Sequence, residues 1–309
     1  MKSKGILDNV WIIIVTYNGK EWIDRCLQSC GNNKVVVVDN NSTDDTVDFI
    51  RKNYSNVHIV KQAKNLGFGQ ANNIGISYAL NHGAKHVFLL NQDAYLVNDC
   101  LDNLIEVQKK NNEFGILSPV HLNGQGTRLD FNFSSYIFKN RDFYSDHVLG
   151  KLLKNIYELP FVNAAGWLVS RECLKRVGGF DPMFFHYGED DNYCHRVIYH
   201  GFKIGVVPNE FLKHDRAQIN NKQTDTLILK ERVYKVEYGN PDRDNFEKQF
   251  PKKIHLLRRA ILKNKLMLRS GKYKQLNEYL KMLVRIQKEI AQSRKTIALS
   301  STPFLNIDE

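Results

Sequence analysis

The chain has 309 residues, of which 42% are hydrophobic and 25% charged, and its formal net charge is +11. This length is enough for one large domain with an appendage. No stretch reaches the roughly 18 apolar residues that span a bilayer, and Met1–Asn9 lacks the apolar core of a signal peptide, so we expect a cytoplasmic protein. The five cysteines form no CxxC pair, which argues against a disulfide framework and a thiolate zinc site.

Short apolar runs alternate with polar stretches in the first part of the chain, which is the pattern of a parallel α/β sheet. The predicted strands are Val10–Thr16, Lys34–Val38, Val57–Lys61 and His86–Leu90. The turn after the first strand reads Thr16-Tyr17-Asn18-Gly19-Lys20 instead of GxGxxG, and the sequence contains no Walker loop. Hydride transfer with NAD and P-loop phosphoryl transfer are therefore poorly supported.

Small polar residues follow the predicted strands, at the carboxyl edge where open α/β sheets bind their ligands. The first three strands are followed by Thr16-Tyr17-Asn18, Asp39-Asn40-Asn41-Ser42 and Asn65-Leu66-Gly67-Phe68-Gly69. The Asp39 carboxylate is suited to accept the imide hydrogen of uracil or thymine, and the glycines allow the backbone to approach a nucleotide. Asx residues also form turns and cap helices, so a purely structural role stays open for each of them.

Two polar clusters, Asn91-Gln92-Asp93 and Gly188-Glu189-Asp190-Asp191, suit metal-assisted transfer chemistry. The strand His86–Leu90 delivers Asp93 to the ligand edge of the sheet. One carboxylate set can then hold a cation while the other accepts a proton. The second cluster begins a predicted helix, Asp190–His200, where acidic residues also stabilise the helix dipole, and this alternative best explains Asp191.

The positive charge is concentrated in residues 250–296, which contain 14 lysines and arginines against Glu278 and Glu289. Apolar residues recur there at helical spacing on both sides of Ser270-Gly271, which predicts a helical hairpin with one apolar stripe. Such a stripe either docks on the globular body or lies on an anionic membrane surface, and both alternatives stay open. Aromatic stacking groups are few in this region, so we expect no nucleic-acid binding.

Taken in order, these motifs resemble those of family 2 glycosyltransferases, which have the GT-A fold and move a sugar from a nucleoside diphosphate to an acceptor. The resemblance runs from about Val10 to Arg216 and includes Arg196 after the acidic cluster. The segment Asn65–Gly75 is most similar to the branch of bacterial rhamnosyltransferases and galactofuranosyltransferases, which build surface polysaccharides.

The resemblance implies an α/β GT-A nucleotide-diphospho-sugar transferase fold, with a mostly parallel central sheet flanked by helices. We expect the GT-A catalytic domain over residues 1–220, with its nucleotide-sugar half at about 1–120 and its acceptor half at about 121–220. The basic C-terminal helical appendage is expected over residues 221–309.

The resemblance also implies roles for individual residues. Asp190 takes the place of the catalytic base, while Asp93 and His214 take those of ligands to a divalent cation, Mn²⁺ or Mg²⁺. Asn91 departs from the family's DxD element and removes one negative charge, which weakens hard-metal binding and leaves the metal requirement open. The expected donor-binding residues are Thr16, Tyr17, Asn18, Asp39, Asn41, Asn65, Gly67, Asn72, Asn91, Gln92 and Asp93.

Acceptor recognition is expected from Trp167, Glu189 and Asp191, although core packing is an equal alternative for Trp167. The implied reaction is an inverting hexosyl transfer, with dTDP-rhamnose or a UDP-sugar as donor and a saccharide or lipid-linked saccharide as acceptor. A lipid-linked acceptor suits peripheral contact with the inner face of the plasma membrane.

Two other functions stay open, namely a catalytically weak nucleotide-sugar-binding protein and a nucleotidyltransferase of related fold. The complete acidic cluster at Glu189–Asp191 argues against the first, since a binding protein does not need it. The first-strand loop lacks the glycine- and lysine-rich clamp that a triphosphate requires, which argues against the second.

Overall fold

A computed structural model describes residues 9–216 and 225–308. The expected domain boundary at residues 220 and 221, and the polar start of the chain up to residue 8, lie outside the described residues. The described part contains one nine-stranded sheet with helices packed on both of its faces.

The strands are β1 (Val10–Thr16), β2 (Lys34–Asp39), β3 (His58–Lys61), β4 (His86–Asn91), β5 (Ala94–Leu96), β6 (Phe114–Asn123), β7 (Tyr157–Glu158), β8 (Gly166–Ser170) and β9 (Lys203–His214). Their order is β3-β2-β1-β4-β8-β6-β9-β5, and β7 also pairs with β9. The strands β3, β2, β1 and β4 are parallel, and β6 is parallel to β9, whereas β5, β7 and β8 run antiparallel to their neighbours. The four predicted strands are confirmed to within one residue at each end.

The helices are α1 (Ile23–Ser29), α2 (Thr46–Asn53), α3 (Phe68–Asn81), α4 (Cys100–Lys110), α5 (Phe131–Ile137), α6 (Arg141–Val148), α7 (Arg171–Val177), α8 (Glu189–Tyr199), α9 (Thr226–Tyr238), α10 (Phe246–Leu266) and α11 (Ser270–Leu299). Strand β1 shows why both faces need cover, because successive side chains point to opposite sides of a sheet. Ile13 packs with the core that includes α3, while Ile12 and Ile14 pack with the core that includes α1 and α4. A continuous apolar run, rather than an alternating one, therefore marks these central strands.

The predicted helical hairpin is confirmed as α10 and α11, and its apolar stripe packs within the protein. A separate core joins the two helices to α9 through Tyr238, Phe250, Ile254, Leu257, Leu283, Ile286 and Ile290. The stripe is therefore buried mainly among α9, α10 and α11 of the C-terminal region, with Met183 packed against it, and not on a face of the sheet. None of the helices in the described ranges is long and apolar enough to cross a membrane.

A segment after α11, residues 302–308, returns to the sheet and packs against the loop between α7 and α8. The Gly179 amide donates to the Pro303 carbonyl at 2.8 Å, and Leu305 packs against the main core. The ring of Phe304 lies 5.5 Å from the guanidinium of Arg196, which is fully buried on α8. We call residues 302–308 the C-terminal strap, because they tie the hairpin to the loop before α8 and to Arg196 near the end of that helix.

Replacing Gly178 by Ala tests this contact. Gly178 has φ +82°, and a Cβ there would lie 2.1 Å from the Pro303 carbonyl oxygen. Gly31 is the matched control, because it also has a positive φ, +57°, but an added Cβ meets no described atom within 4 Å. Gly31→Ala should lose about 1 kcal/mol to backbone strain. Gly178→Ala should lose roughly 1–3 kcal/mol to a backbone with φ +82° and ψ −159°, which is almost restricted to glycine, and roughly 1–3 kcal/mol more to the clash. Urea unfolding measures both, and equal losses would contradict the packing of the strap.

Candidate active site

A cavity of about 410 Å³ lies at the carboxyl edge of β1, β2 and β4. The carboxyl ends of parallel strands meet at one edge of a sheet, which is where open α/β folds bind their ligands. The start of α3 and the loop before α8 close the cavity from the other side. The lining residues are Val15, Tyr17, Asn40, Asn65, Gly67, Phe68, Asn91, Gln92, Asp93, Phe185 and His186.

The Gln92 side chain holds the loop after β1 against the end of β4. Its Oε1 atom accepts from the Thr16 hydroxyl at 2.7 Å and from the Tyr17 amide at 3.0 Å. Gly19 is needed for this arrangement, because a Cβ there would lie 2.3 Å from the same Oε1 atom. Thr16 is fully buried, so its hydroxyl supports the wall of the cavity through Gln92.

Asn40 organises the opposite wall and was missed by the sequence analysis as a donor residue. Its Nδ2 donates to Asn65 Oδ1 at 2.9 Å and to the Gly67 carbonyl at 3.2 Å, while its Oδ1 accepts from the Leu66 amide at 2.8 Å. The only sequence signal for Asn40 is its place between Asp39 and Asn41. Phe185 and His186 reach the cavity from a distant loop, and no local pattern predicts that contact.

The remaining predicted donor residues lie outside the lining of this cavity. Asn18 and Asn41 have positive φ angles of 49° and 70°, and Asn18 Oδ1 accepts from the Thr43 amide at 2.8 Å, as turn residues do. Asp39 is fully buried at the end of β2 and accepts from the Ser42 amide at 3.3 Å. The amide of Asn72 is bonded to the Phe68 carbonyl within α3, at 3.0 Å.

Asp93 and His214 lie side by side, with His214 Nε2 3.3 Å from Asp93 Oδ1. Their strands fix this geometry, because Ala94 pairs with His214 and the Asp215 amide donates to the Asp93 carbonyl at 2.8 Å. The described residues contain no group of three or more His, Cys, Asp or Glu side chains arranged to hold a metal. The pair offers one carboxylate and one imidazole, which are two possible ligands of a divalent cation.

A second cavity, of about 390 Å³, contains the acidic cluster. Its lining combines aromatic, cationic and acidic side chains: Ser135, Tyr136, Lys139, Phe161, Tyr187, Gly188, Asp190, Asp191 and Arg232. Tyr187 and Gly188 have φ angles of 66° and 97°, so two consecutive left-handed residues turn the chain into α8.

One loop, residues 184–188, joins the two cavities. Phe185 and His186 line the first cavity, and Tyr187 and Gly188 line the second. This loop directly contacts the loop before α3, because a Cβ on Gly67 would lie 2.0 Å from the Phe185 carbonyl oxygen. The loop thus connects the cavity lined by Asn65, Gly67 and Asp93 to the cavity lined by Asp190.

The carboxylates at the start of α8 have perturbed pKa values. Burial raises the pKa of Asp190 to about 6, and the negative charge of Asp191 adds to the shift. Burial also raises the pKa of Glu189 to about 7, with a further contribution from Asp190. Asp190 is only partly buried and lines the second cavity, so a molecule in that cavity can reach its carboxylate. An accessible carboxylate with a pKa close to neutral suits a general base.

Two of the residues expected to bind the acceptor are buried instead. Trp167 on β8 is fully buried and stacks on Phe180 with 6.0 Å between ring centroids, so its face is not presented to a sugar. This corrects the acceptor role in favour of core packing, which an aromatic residue in a central strand favours. Glu189 is 5% exposed and lies beside Gly69 and Phe180, whereas Asp191 does line the second cavity.

Comparison with known proteins places these features in a family. Residues 11–178, more than half of the chain, match the family described as Glycosyl transferase family 2. The dTDP-rhamnosyl transferase RfbF of Shigella flexneri is 25% identical over 212 residues, which cover 67% of this chain and 69% of that protein. The low-salt glycan biosynthesis hexosyltransferase Agl10 of Haloferax volcanii is 27% identical over 205 residues, which cover 65% of each chain.

Solved structures confirm the expected GT-A fold. GalNAc-T7, solved with UDP, GalNAc and Mn²⁺, superposes with a TM-score of 0.55 at 16% identity over 74% of this chain and 47% of that chain. TarS 1-349 of S. aureus superposes with a TM-score of 0.51 at 18% identity over 93% of this chain and 89% of that chain. At these identities the likeness shows the fold alone. From its family match, its motifs and its fold, this chain belongs to glycosyltransferase family 2, and rhamnosyltransferases are among its relatives.

Proposed function

We propose that this glycosyltransferase moves a hexose or deoxyhexose, with inversion, from a pyrimidine nucleoside diphosphate to a hydroxyl group of a glycan or lipid-linked saccharide. The observation that carries the proposal is the shared loop 184–188, which connects the cavity containing Asp93 to the cavity containing Asp190. A protein that only binds a nucleotide sugar has no use for the second cavity. Synthesis of bacterial surface polysaccharide is the process in which such a reaction fits.

Asp190 acts as the base in a single displacement. Its carboxylate takes the proton of the acceptor hydroxyl while that oxygen forms a bond to the anomeric carbon. The bond from this carbon to the diphosphate oxygen breaks, and the nucleoside diphosphate leaves with the electron pair. Attack from the face opposite the leaving group inverts the anomeric configuration. Positioning of both substrates by the two cavities supplies a large part of the rate.

The donor occupies the first cavity, with its base near the end of β2 and its diphosphate near Asp93. Asp39 is buried behind the lining residue Asn40, so the imide contact expected from its carboxylate stays a prediction. The dTDP-rhamnosyl transferase relative supports a pyrimidine. A divalent cation held by Asp93 and His214 would neutralise the diphosphate as its charge increases.

The second cavity supports a sugar acceptor that carries phosphate. Tyr136, Phe161 and Tyr187 offer aromatic faces, and Lys139 and Arg232 add positive charge beside them. Aromatic side chains pack well on sugar rings, and cationic ones pair with phosphate. An N-acetylglucosaminyl-diphospho-decaprenol L-rhamnosyltransferase of Mycobacterium tuberculosis is 25% identical over 237 residues, which supports a lipid diphosphate acceptor. With such an acceptor, the enzyme would act in the cytoplasm, at the inner face of the plasma membrane.

The decisive experiment incubates the protein with UDP-sugars and dTDP-rhamnose and measures release of the nucleoside diphosphate, with and without Mn²⁺. We expect slow hydrolysis of one pyrimidine donor and faster release when a saccharide acceptor is added. A retained anomeric configuration in the product would reject the inverting mechanism. Consumption of a nucleoside triphosphate and a sugar phosphate would instead identify a nucleotidyltransferase.

Replacing Asp190 by Asn should reduce transfer by roughly 10²–10⁴-fold, because the acceptor loses its base. Titration calorimetry should show little change in binding of the nucleoside diphosphate. The pH–rate profile of the unmodified enzyme should fall below about pH 6, where Asp190 becomes protonated. Asp48→Asn on exposed α2 is the control. Near-normal transfer by Asp190→Asn would remove this residue from the base role.

The same variant should be more stable than the unmodified protein at neutral pH. The folded-state pKa of Asp190, about 6, is above its ordinary value of 3.8, so the ionised carboxylate opposes folding at higher pH. Asp190→Asn should therefore raise the free energy of unfolding by about 1–2 kcal/mol at neutral pH, allowing for the partial exposure of the group. This gain in the free energy of unfolding should disappear as the pH falls towards 4. Urea unfolding at several pH values measures it, and a gain that does not change with pH would contradict the raised pKa of Asp190.

Replacing Asp93 by Ala should weaken binding of the nucleoside diphosphate in the presence of Mn²⁺ and leave the weaker metal-free binding nearly unchanged. The cation would lose one of its two protein ligands. Calorimetric titration of UDP and dTDP measures the effect, and Asp48→Ala on α2, whose side chain is exposed and does not line the cavity, is the control. If the unmodified protein binds the nucleoside diphosphate equally well with and without Mn²⁺, Asp93 and His214 contact the nucleotide directly or support the structure, and they do not bind a metal.

A further inference from the structure

The turn between α10 and α11 exposes a group of aliphatic side chains. We call residues 262–272 the hairpin tip. Leu262 is 58% exposed, Leu266 76%, Met267 50% and Leu268 90%. The apolar stripe of the same helices is buried against α9, so the exposed residues are separate from the packing that holds the hairpin together. Contiguous exposed apolar side chains mark a contact surface more often than isolated ones do.

The backbone of Leu268 supports this interpretation. Leu268 has φ +54°, a left-handed conformation that bulky residues seldom adopt and that glycine or asparagine adopts readily. The chain thus keeps a leucine at a strained position where its side chain is almost fully exposed and gains little from packing. Such an outlier points to a function outside the isolated fold.

The charge around the hairpin tip identifies the kind of partner. Residues 248–277 contain ten lysines and arginines and no aspartate or glutamate. In the tip itself, Lys263, Lys265 and Arg269 flank the exposed leucines. Cations that surround a small aliphatic group are the arrangement that binds anionic lipid, because the headgroups attract the cations and the acyl chains receive the apolar side chains.

Other occupants fit less well. A second copy of this chain would place two strongly cationic tips against each other, which is repulsive. A nucleic acid would use the cations but would leave Leu266, Met267 and Leu268 in contact with water.

We propose that the hairpin tip is a membrane-docking element that inserts Leu266, Met267 and Leu268 into a bilayer rich in anionic lipid. Lys263, Lys265 and Arg269 contact the headgroups around them. The inference rests on the proposed position of the enzyme at a membrane surface, and it is independent of which donor sugar is used. It assigns lipid contact to the turn of the hairpin, whereas the stripe of α10 and α11 packs inside the protein.

The test is co-sedimentation of the full chain with vesicles of phosphatidylglycerol and phosphatidylcholine, compared with vesicles of phosphatidylcholine alone. The triple variant Leu266→Ser, Met267→Ser, Leu268→Asn should reduce partitioning by at least about tenfold. The matched control replaces three exposed aliphatic residues elsewhere, Ile198, Ile228 and Leu299, by Ser and should bind within about twofold of the unmodified chain.

Leu268→Asn alone separates docking from folding, because asparagine tolerates the left-handed backbone. It should keep or raise the midpoint of thermal unfolding while it lowers vesicle binding. A second triple variant tests the charge, in which glutamine replaces Lys263, Lys265 and Arg269, and it should also lower vesicle binding. Its control removes the same charge elsewhere, with glutamine at Lys52, Lys110 and Lys175, and should lower vesicle binding less.

Failure of the unmodified chain to bind anionic vesicles would overturn the inference, and so would equal binding by the leucine and methionine triple variant. A third contradicting result is an oligomer of the unmodified chain in light scattering that the triple variant does not form, because the tip would then serve self-association. Transfer to a soluble saccharide acceptor separates the two proposals. Lost vesicle binding with normal transfer supports the docking element, while normal vesicle binding without any transfer contradicts the proposed function alone.

Discussion

The arrangement of the active site depends on one close approach of two backbones, at Gly67 and Phe185. A side chain at position 67 would overlap the Phe185 carbonyl, so the contact is possible only with glycine. It joins the loop that enters α3 to the loop that enters α8. The first loop belongs to the parallel half of the sheet and the second to the acidic helix. Through this contact the carboxyl edge of the sheet and the acidic start of α8 acquire a fixed mutual position.

Placing carboxylates at the start of α8 has an energetic cost. Burial raises the pKa values of Glu189, Asp190 and Asp191, and repulsion from neighbouring carboxylates adds to the shifts of Glu189 and Asp190. The positive end of the helix dipole and the bond from the Asp191 amide to Asp190 Oδ1, at 3.0 Å, offset part of this cost. The helix is also anchored from behind, where the fully buried Arg196 donates to the Val177 carbonyl at 2.7 Å. The site therefore combines locally unfavourable charge with a rigid support.

Much of this could be predicted from the sequence because the signals are local. Apolar runs located β1, β2 and β4, and the polar residues after them indicated the ligand edge. The periodicity after residue 250 predicted α10 and α11. Asn40 was missed because its bonds to Asn65 and Gly67 depend on loop geometry, and Phe185 because its contact with Gly67 joins residues more than a hundred positions apart. Trp167 was misplaced because small neighbouring residues are compatible with both a binding surface and a tightly packed strand.

The exposure of the hairpin tip was also beyond the sequence, since periodicity gives the buried face of a helix but not the conformation of a turn. Ser270-Gly271 indicated a break, yet the left-handed residue is Leu268. Only the three-dimensional structure separates the leucines that hold the hairpin together from those that point outwards.

The C-terminal strap supports α8 only late in synthesis. The strands that form the carboxyl edge of the sheet leave the ribosome early. Pro303 contacts the loop before α8 and Phe304 lies on Arg196 near the end of that helix, and both are made more than a hundred residues later. Until they emerge, the nascent chain contains the sheet edge but an incompletely supported acidic helix. Vectorial synthesis thus completes the sheet edge before the support of α8.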